Sequence, residues 1–130
     1  MDVLIPVSAG HLIDQITILR IKKMHIADPL KSENVRRELD ALSRIRADLP
    51  GLAQPAILQL EEELAAVNQA LWDVEDKLRV MDARREFGKR FIAAARAVYL
   101  TNDRRSALKR AIDHLVGSSF CEEKSFSTTT

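Results

Sequence analysis

Four glycines and four prolines are all that punctuate a chain of 130 residues, too few for the closely spaced turns that sandwiches and barrels need. A single cysteine, Cys121, leaves no intramolecular disulfide, so a domain of this length has to be held by its apolar core. Aromatics contribute only 5% of the residues, and the core is therefore expected to be aliphatic. No apolar run approaches the ~20 residues that cross a bilayer as a helix. No N-terminal stretch joins a basic start to an apolar run and a small-residue cleavage site. The expectation is a cytoplasmic protein without a membrane span.

Catalytic motifs are scarce as well. His11, His25 and His114 stand far apart in no metal-binding spacing, and Cys121 has no cysteine partner for a zinc site. The glycine-rich dinucleotide loop, the Walker-type phosphate loop and the strained serine elbow are all missing. Cys121 stands alone near the end of the sequence and reads as a free thiol rather than a nucleophile. No metal and no cofactor is expected, and whether the chain is an enzyme stays open.

Helix is what the sequence does supply. Apolar residues make up 46% and charged residues 30%, a balance suited to amphipathic helices. Ser8 stands where an N-cap would be, and Leu12, Ile16, Leu19 and Ile26 follow at helical spacing, with Ile13, Ile18, Ile21 and Met24 widening the stripe. A central first helix is expected from about Ala9 to the break at Asp28-Pro29. Ser32 is the expected cap of a second helix bearing Val35, Leu39, Leu42, Ile45 and Leu49, stopped by Pro50-Gly51. After Pro55 the residues Ile57, Leu60, Leu64, Val67, Leu71, Val74, Leu78 and Met81 alternate in threes and fours, an a/d seam of the coiled-coil kind. The phase slips near Gly88, which predicts a kink or break there, and Phe87, Phe91, Ala95, Val98 and Tyr99 resume one position out of step. Thr101 or Asn102 is expected to cap a last short helix with Leu108, Ile112 and Leu115, stopped by Gly117.

The β-branched run at residues 2–7 predicts a short strand, and residues 120–126 are its expected extended partner, since a lone strand is unstable in water. The whole reads as an all-α fold: a helical bundle around a long antiparallel helical hairpin. It is one domain over residues 1–126, with a disordered tail at 127–130.

Charge is near balance overall, at +1, but not locally. Residues 33–76 carry ten acidic and four basic side chains, whereas residues 77–110 carry eleven basic and three acidic. Arg79, Arg84, Arg85, Lys89, Arg90, Arg104, Arg105, Lys109 and Arg110 form either a phosphate-binding patch or one half of a self-neutralising hairpin. No aromatics interleave with these arginines to stack bases, which disfavours nucleic acid.

Polar residues also recur off the seam. Asn68, Trp72, Glu75, Asp76 and Arg79 share a second face of the third helix. Trp72, the only tryptophan, would either wall a small-molecule site or pack beneath a neighbouring helix. Arg96, Tyr99, Asn102, Asp103, Arg105 and Lys109 crowd an expected helix junction, where they would hold an anion or merely cap the helix.

Four stretches carry a resemblance. They are Pro6-Val7-Ser8-Ala9-Gly10-His11-Leu12-Ile13-Asp14-Gln15-Ile16-Thr17-Ile18-Leu19, Val67-Asn68-Gln69-Ala70-Leu71-Trp72-Asp73-Val74-Glu75-Asp76, Val98-Tyr99-Leu100-Thr101-Asn102-Asp103-Arg104-Arg105, and Gly117-Ser118-Ser119 with Glu122-Glu123-Lys124-Ser125-Phe126. Together they resemble a bacterial family of uncharacterised small domains, DUF6165, across nearly the whole chain. His11 stands where that family's pattern usually has an acidic residue completing a capping box with the serine. The resemblance implies no activity but says where to look: a polar site of Asp14, Asn68, Trp72, Glu75, Tyr99, Asn102, Asp103, Arg105, Glu123 and Lys124, if these converge. The leading functional reading is a helical interaction or regulatory module, with a homodimer or protein partner engaged through helical faces. The alternative is a small enzyme or binding domain for an anionic metabolite or nucleotide-type ligand.

Overall fold

The N-terminus of the first helix, α1 (Ala9–His25), is satisfied by side chains from both ends of the chain. Ser8 Oγ accepts from His11 N at 3.0 Å. Asp113 Oδ1 accepts from Gly10 N at 2.6 Å and Ser118 Oγ from Ala9 N at 3.1 Å. Three first-turn donors that a helix leaves unpaired thus find acceptors. Gly10 is required here: a Cβ would lie 2.8 Å from Asp113 Oδ1 and closer still to the Lys109 carbonyl.

In the computed structural model, which describes residues 1–125, α1 is followed by α2 (Pro29–Ala47), a 3-10 turn (Pro50–Ala53), α3 (Pro55–Ala83) and α4 (Lys89–Val116). α3 and α4 form the long antiparallel hairpin, with α1 packed on both and α2 beside α1. The core is aliphatic as expected, built from Leu12, Ile13, Ile16, Leu52, Ile57, Leu64 and Ile112. The α3 seam turns inward: Ile57, Leu64, Val67, Leu71 and Met81 are buried within the chain itself. The buried part of the seam therefore closes the intramolecular hairpin.

Several expectations are corrected. Residues 2–7 form no strand; Val3, Leu4 and Ile5 are exposed. The two termini do meet, but through the Ala9 N–H donating to the Ser118 hydroxyl instead of a backbone ladder. α2 begins a turn earlier than Ser32, because Asp28 Oδ1 accepts from Leu30 N at 2.9 Å and Pro29 occupies the first helical position. Of its expected apolar face only Val35 is fully buried, and Ile45 and Leu49 are exposed. The phase slip near Gly88 marks the hairpin turn itself, where Arg85 takes a left-handed φ of 55° and Gly88 caps α4.

No break occurs at Thr101 or Asn102, and the expected short last helix is the second half of α4. Capping residue types do not end a helix unless a breaker accompanies them, and neither proline nor glycine lies between Lys89 and Val116. Gly117, with φ 66°, ends α4 as expected. The tail expected at 127–130, and Phe126, lie outside the described residues. No described helix is long and apolar enough to cross a membrane.

Helix length decides what is covered. The 29 residues of α3 extend about 43 Å and the 17 of α1 about 25 Å, at ~1.5 Å per residue. α1 reaches α3 as far as Trp72, where His25 stacks on the indole at 4.9 Å and 21°. The distal hairpin is left as two helices, with Val80, Phe87, Ile92 and Leu100 exposed.

Candidate functional site

Asp14 is wholly buried on α1 between the two arms of the hairpin. Its carboxylate accepts two bonds from Arg105 of α4, Nε to Oδ1 at 2.9 Å and Nη2 to Oδ2 at 2.5 Å. Asn68 of α3 donates to the same Oδ1 at 2.9 Å and to Thr17 Oγ1 at 2.9 Å. Thr17 in turn donates to the Asp14 carbonyl at 2.7 Å. Three helices are tied at one point by a fully bonded polar knot, and no buried side-chain polar atom among the described residues lacks a partner. The bidentate bond from Asp14 raises the Arg105 pKa; burial opposes this, and the charges of Asp14, Glu122 and Glu75 reinforce it. Arg105 is thus a fixed, permanent cation.

A groove of about 300 Å³ opens over this knot. Asn68, Leu71, Trp72 and Glu75 line it from α3, Asn102 and Arg105 from α4, and Ile18, Ile21 and Lys22 from α1. One wall is cationic, one is an indole face, and Glu75 with two carboxamides supplies acceptors and donors.

The ten residues expected to converge separate into groups. Asn68 and Arg105 both donate to Asp14, and Trp72, Glu75 and Asn102 join Asn68 and Arg105 along the groove. Tyr99 and Asp103, on α4 close to Asn102, do not line it, and Tyr99 is exposed. Glu123 and Lys124 belong to the segment after α4, where Glu123 pairs with Arg110 at 3.3 Å and Lys124 with Glu122 at 3.4 Å. The anion site expected at a helix start near Asn102 is not formed, because that residue lies inside α4.

Sequence reasoning passed over Thr17 and Lys22, weighed His25 only as a metal ligand, and placed Lys109 in the basic patch and the helix junction without its tie to Asp14 and Glu122. Their signal was helical spacing: Lys22 lies two turns beyond Asp14 on one face, and Lys109 one turn beyond Arg105. The basic stretch divides likewise. Arg105, Lys109 and Arg110 meet acidic partners, whereas Arg79, Arg84, Arg85, Lys89 and Arg90 are exposed around the hairpin turn.

Such a fold and site define a small four-helix domain with a bonded ionic knot beneath an open polar groove. The chain matches the profile of a family of unknown function, DUF6165, over residues 2–130, and it belongs to that family. No curated protein and no solved structure matches it.

Proposed function

We propose that the groove over the Asp14 knot binds a small anionic metabolite. What carries the reading is the way Arg105 is held. A buried ion pair is weak support for stability, because desolvation offsets much of the attraction, yet here it fixes a guanidinium at the wall of a concavity. Lys22 adds a second cation beside it, so a carboxylate or phosphate finds two donors without reorganisation cost. Trp72, braced from one side by His25, offers its face to the ligand's body, and Glu75 with Asn68 and Asn102 takes hydroxyl or amino groups.

The test is a thermal-shift screen of sugar phosphates, carboxylic acids and nucleotides on the wild-type chain and on Lys22→Ala and Trp72→Ala. Both substitutions spare the Asp14–Arg105 pair. A ligand at about a hundred times its Kd stabilises by roughly 2.7 kcal/mol, several degrees for this size. A shift lost in both variants supports the reading; no shift with any compound refutes it.

The interaction-module reading draws on a different observation. A concavity of about 620 Å³ runs along the distal hairpin, with Val74, Val80, Met81, Ala93 and Ala94 as its apolar lining and Lys77, Arg84 and Arg90 among its charged residues. An apolar strip with a charged rim suits a partner helix. Ala93→Glu and Val80→Glu should leave stability nearly unchanged while abolishing any self-association seen by sedimentation.

A further inference from the structure

Beyond Gly117 the chain folds back along α4 and is held there almost entirely by polar contacts. Glu122 carries most of them. Its Oε2 accepts from Ser106 Oγ at 3.2 Å and from Lys109 Nζ at 3.3 Å. Its backbone carbonyl accepts from Arg110 Nη2 at 3.0 Å. Ser106 and Lys109 are buried on α4, whereas Phe120, Cys121 and Glu122 are exposed. Apolar burial therefore does little to fix this strap.

Lys109 makes the arrangement informative. Among the described residues its only other ion-pair partner is Asp14 Oδ2 at 4.0 Å, an oxygen already bonded by Arg105. Without Glu122 the ammonium would sit in a largely buried position beside the Ser106 hydroxyl, with Asp14, already engaged by Arg105, as its remaining counter-ion. Such a constellation is an oxyanion site. A concavity of about 390 Å³ adjoins it, lined by Val7, Ser8 and His11 as well as by Lys109 and the strap. It has room for the body of a ligand. None of Ser106, Lys109 and Arg110 lines the groove over Asp14, so the inference stands apart from the groove reading.

The geometry points to Ser106 and Lys109 as a second, oxyanion-binding seat that the Glu122 carboxylate fills from within the chain, and from which a carboxylate or phosphate ligand displaces the strap, while Arg110 grips the strap by the Glu122 backbone carbonyl. Because the occupant is intramolecular, it competes with any external anion. Apparent affinity is then reduced by the fraction of molecules in which the strap is seated.

Cys121 lies on the strap and is the sole cysteine, so a nitroxide attached there reports strap mobility in the full chain. The probes are inorganic phosphate and acetate, titrated at constant ionic strength against chloride. The expected result is a saturable rise in the mobile spectral component with phosphate, acetate or both, where chloride has no effect. A response to phosphate alone assigns the seat to phosphate ligands, and a response to acetate alone assigns it to carboxylates.

In Glu122→Gln the strap should be mobile without added anion. Direct calorimetric titration should then show phosphate or acetate binding about two- to five-fold tighter than in wild type, the factor expected for losing a partly exposed ion pair. Lys109→Met should abolish the saturable response. The exposed Arg110→Ala, which leaves the core untouched but frees the Glu122 carbonyl, should raise the mobile component before any anion is added. An immobile strap at every anion concentration, a response equal to that of chloride, or an unchanged titration in Lys109→Met would overturn the proposal.

Discussion

Removing the Asp14–Arg105 pair one partner at a time should give unequal losses, and the inequality follows from exposure. Arg105→Ala strands a carboxylate that is 0% exposed, with Asn68 as its remaining close donor. Breaking a buried pair in this way costs about 3–5 kcal/mol. Asp14→Ala strands a guanidinium that is 27% exposed and lines an open groove. It can turn towards water, so the loss should be nearer 2–3 kcal/mol, including the small cavity left behind. The double substitution removes both charges and should cost clearly less than the sum, by about 2 kcal/mol. Urea unfolding followed by far-UV circular dichroism measures all three. Equal single losses, or a double variant additive to within about 0.5 kcal/mol, would refute the claim that the pair is a coupled, asymmetrically buried unit.

Other outcomes follow from the packing. Gly10→Ala should destabilise by at least about 2 kcal/mol and lower Tm, because the added methyl meets the Lys109 backbone and the α1 and α4 helices must separate. Asp28→Ala should cost roughly 1 kcal/mol in urea unfolding through loss of the α2 cap. Glu61 bonds Arg46 and Arg20; burial works to raise its pKa, but these two arginines outweigh it and hold the carboxyl below the ordinary range. A depressed folded-state pKa means that the stabilisation is complete above the unfolded value and is lost as pH falls through the folded one. Tm should therefore drop on acidification below about pH 4.5, the ordinary glutamate value. Glu61→Gln should show a shallower drop, and an identical acid profile in the two proteins would contradict the assignment.

How far the sequence could be read depended on whether a signal was local. The a/d seam of α3 and the Ser8 cap of α1 are written in consecutive turns and lie where periodicity places them. The supposed strand at residues 2–7 failed because strand propensity is realised only against a partner, and the segment after Gly117 is engaged by α4 side chains instead. Thr101 and Asn102 misled because a capping side chain is a permissive signal, whereas helix ends need the backbone bonding to stop.

The knot itself joins positions separated by 54 and 91 residues, a distance no periodicity spans. The resemblance pointed to its segments without saying which side chains meet. Asp14, Asn68 and Arg105 converge. Tyr99 and Asp103 do not line the groove, since α4 continues where a junction was expected. Lys22 escaped notice, and Lys109 was read only within a basic patch and a junction, because a lysine on an amphipathic helix looks like any solvated residue until the neighbouring helix is in place.

Trp72 is the only tryptophan and lines the proposed groove, so its intrinsic fluorescence reports occupancy of that groove directly. Titrating the sugar phosphates, carboxylic acids and nucleotides of the thermal screen into the wild-type chain and Lys22→Ala is the decisive measurement. The account predicts a saturable change in Trp72 emission with at least one anionic compound, weakened about tenfold or more in Lys22→Ala, as expected for loss of a charge-assisted contact of ~1.5 kcal/mol. Emission that responds to none of them, or a response of equal affinity in the two proteins, would contradict it.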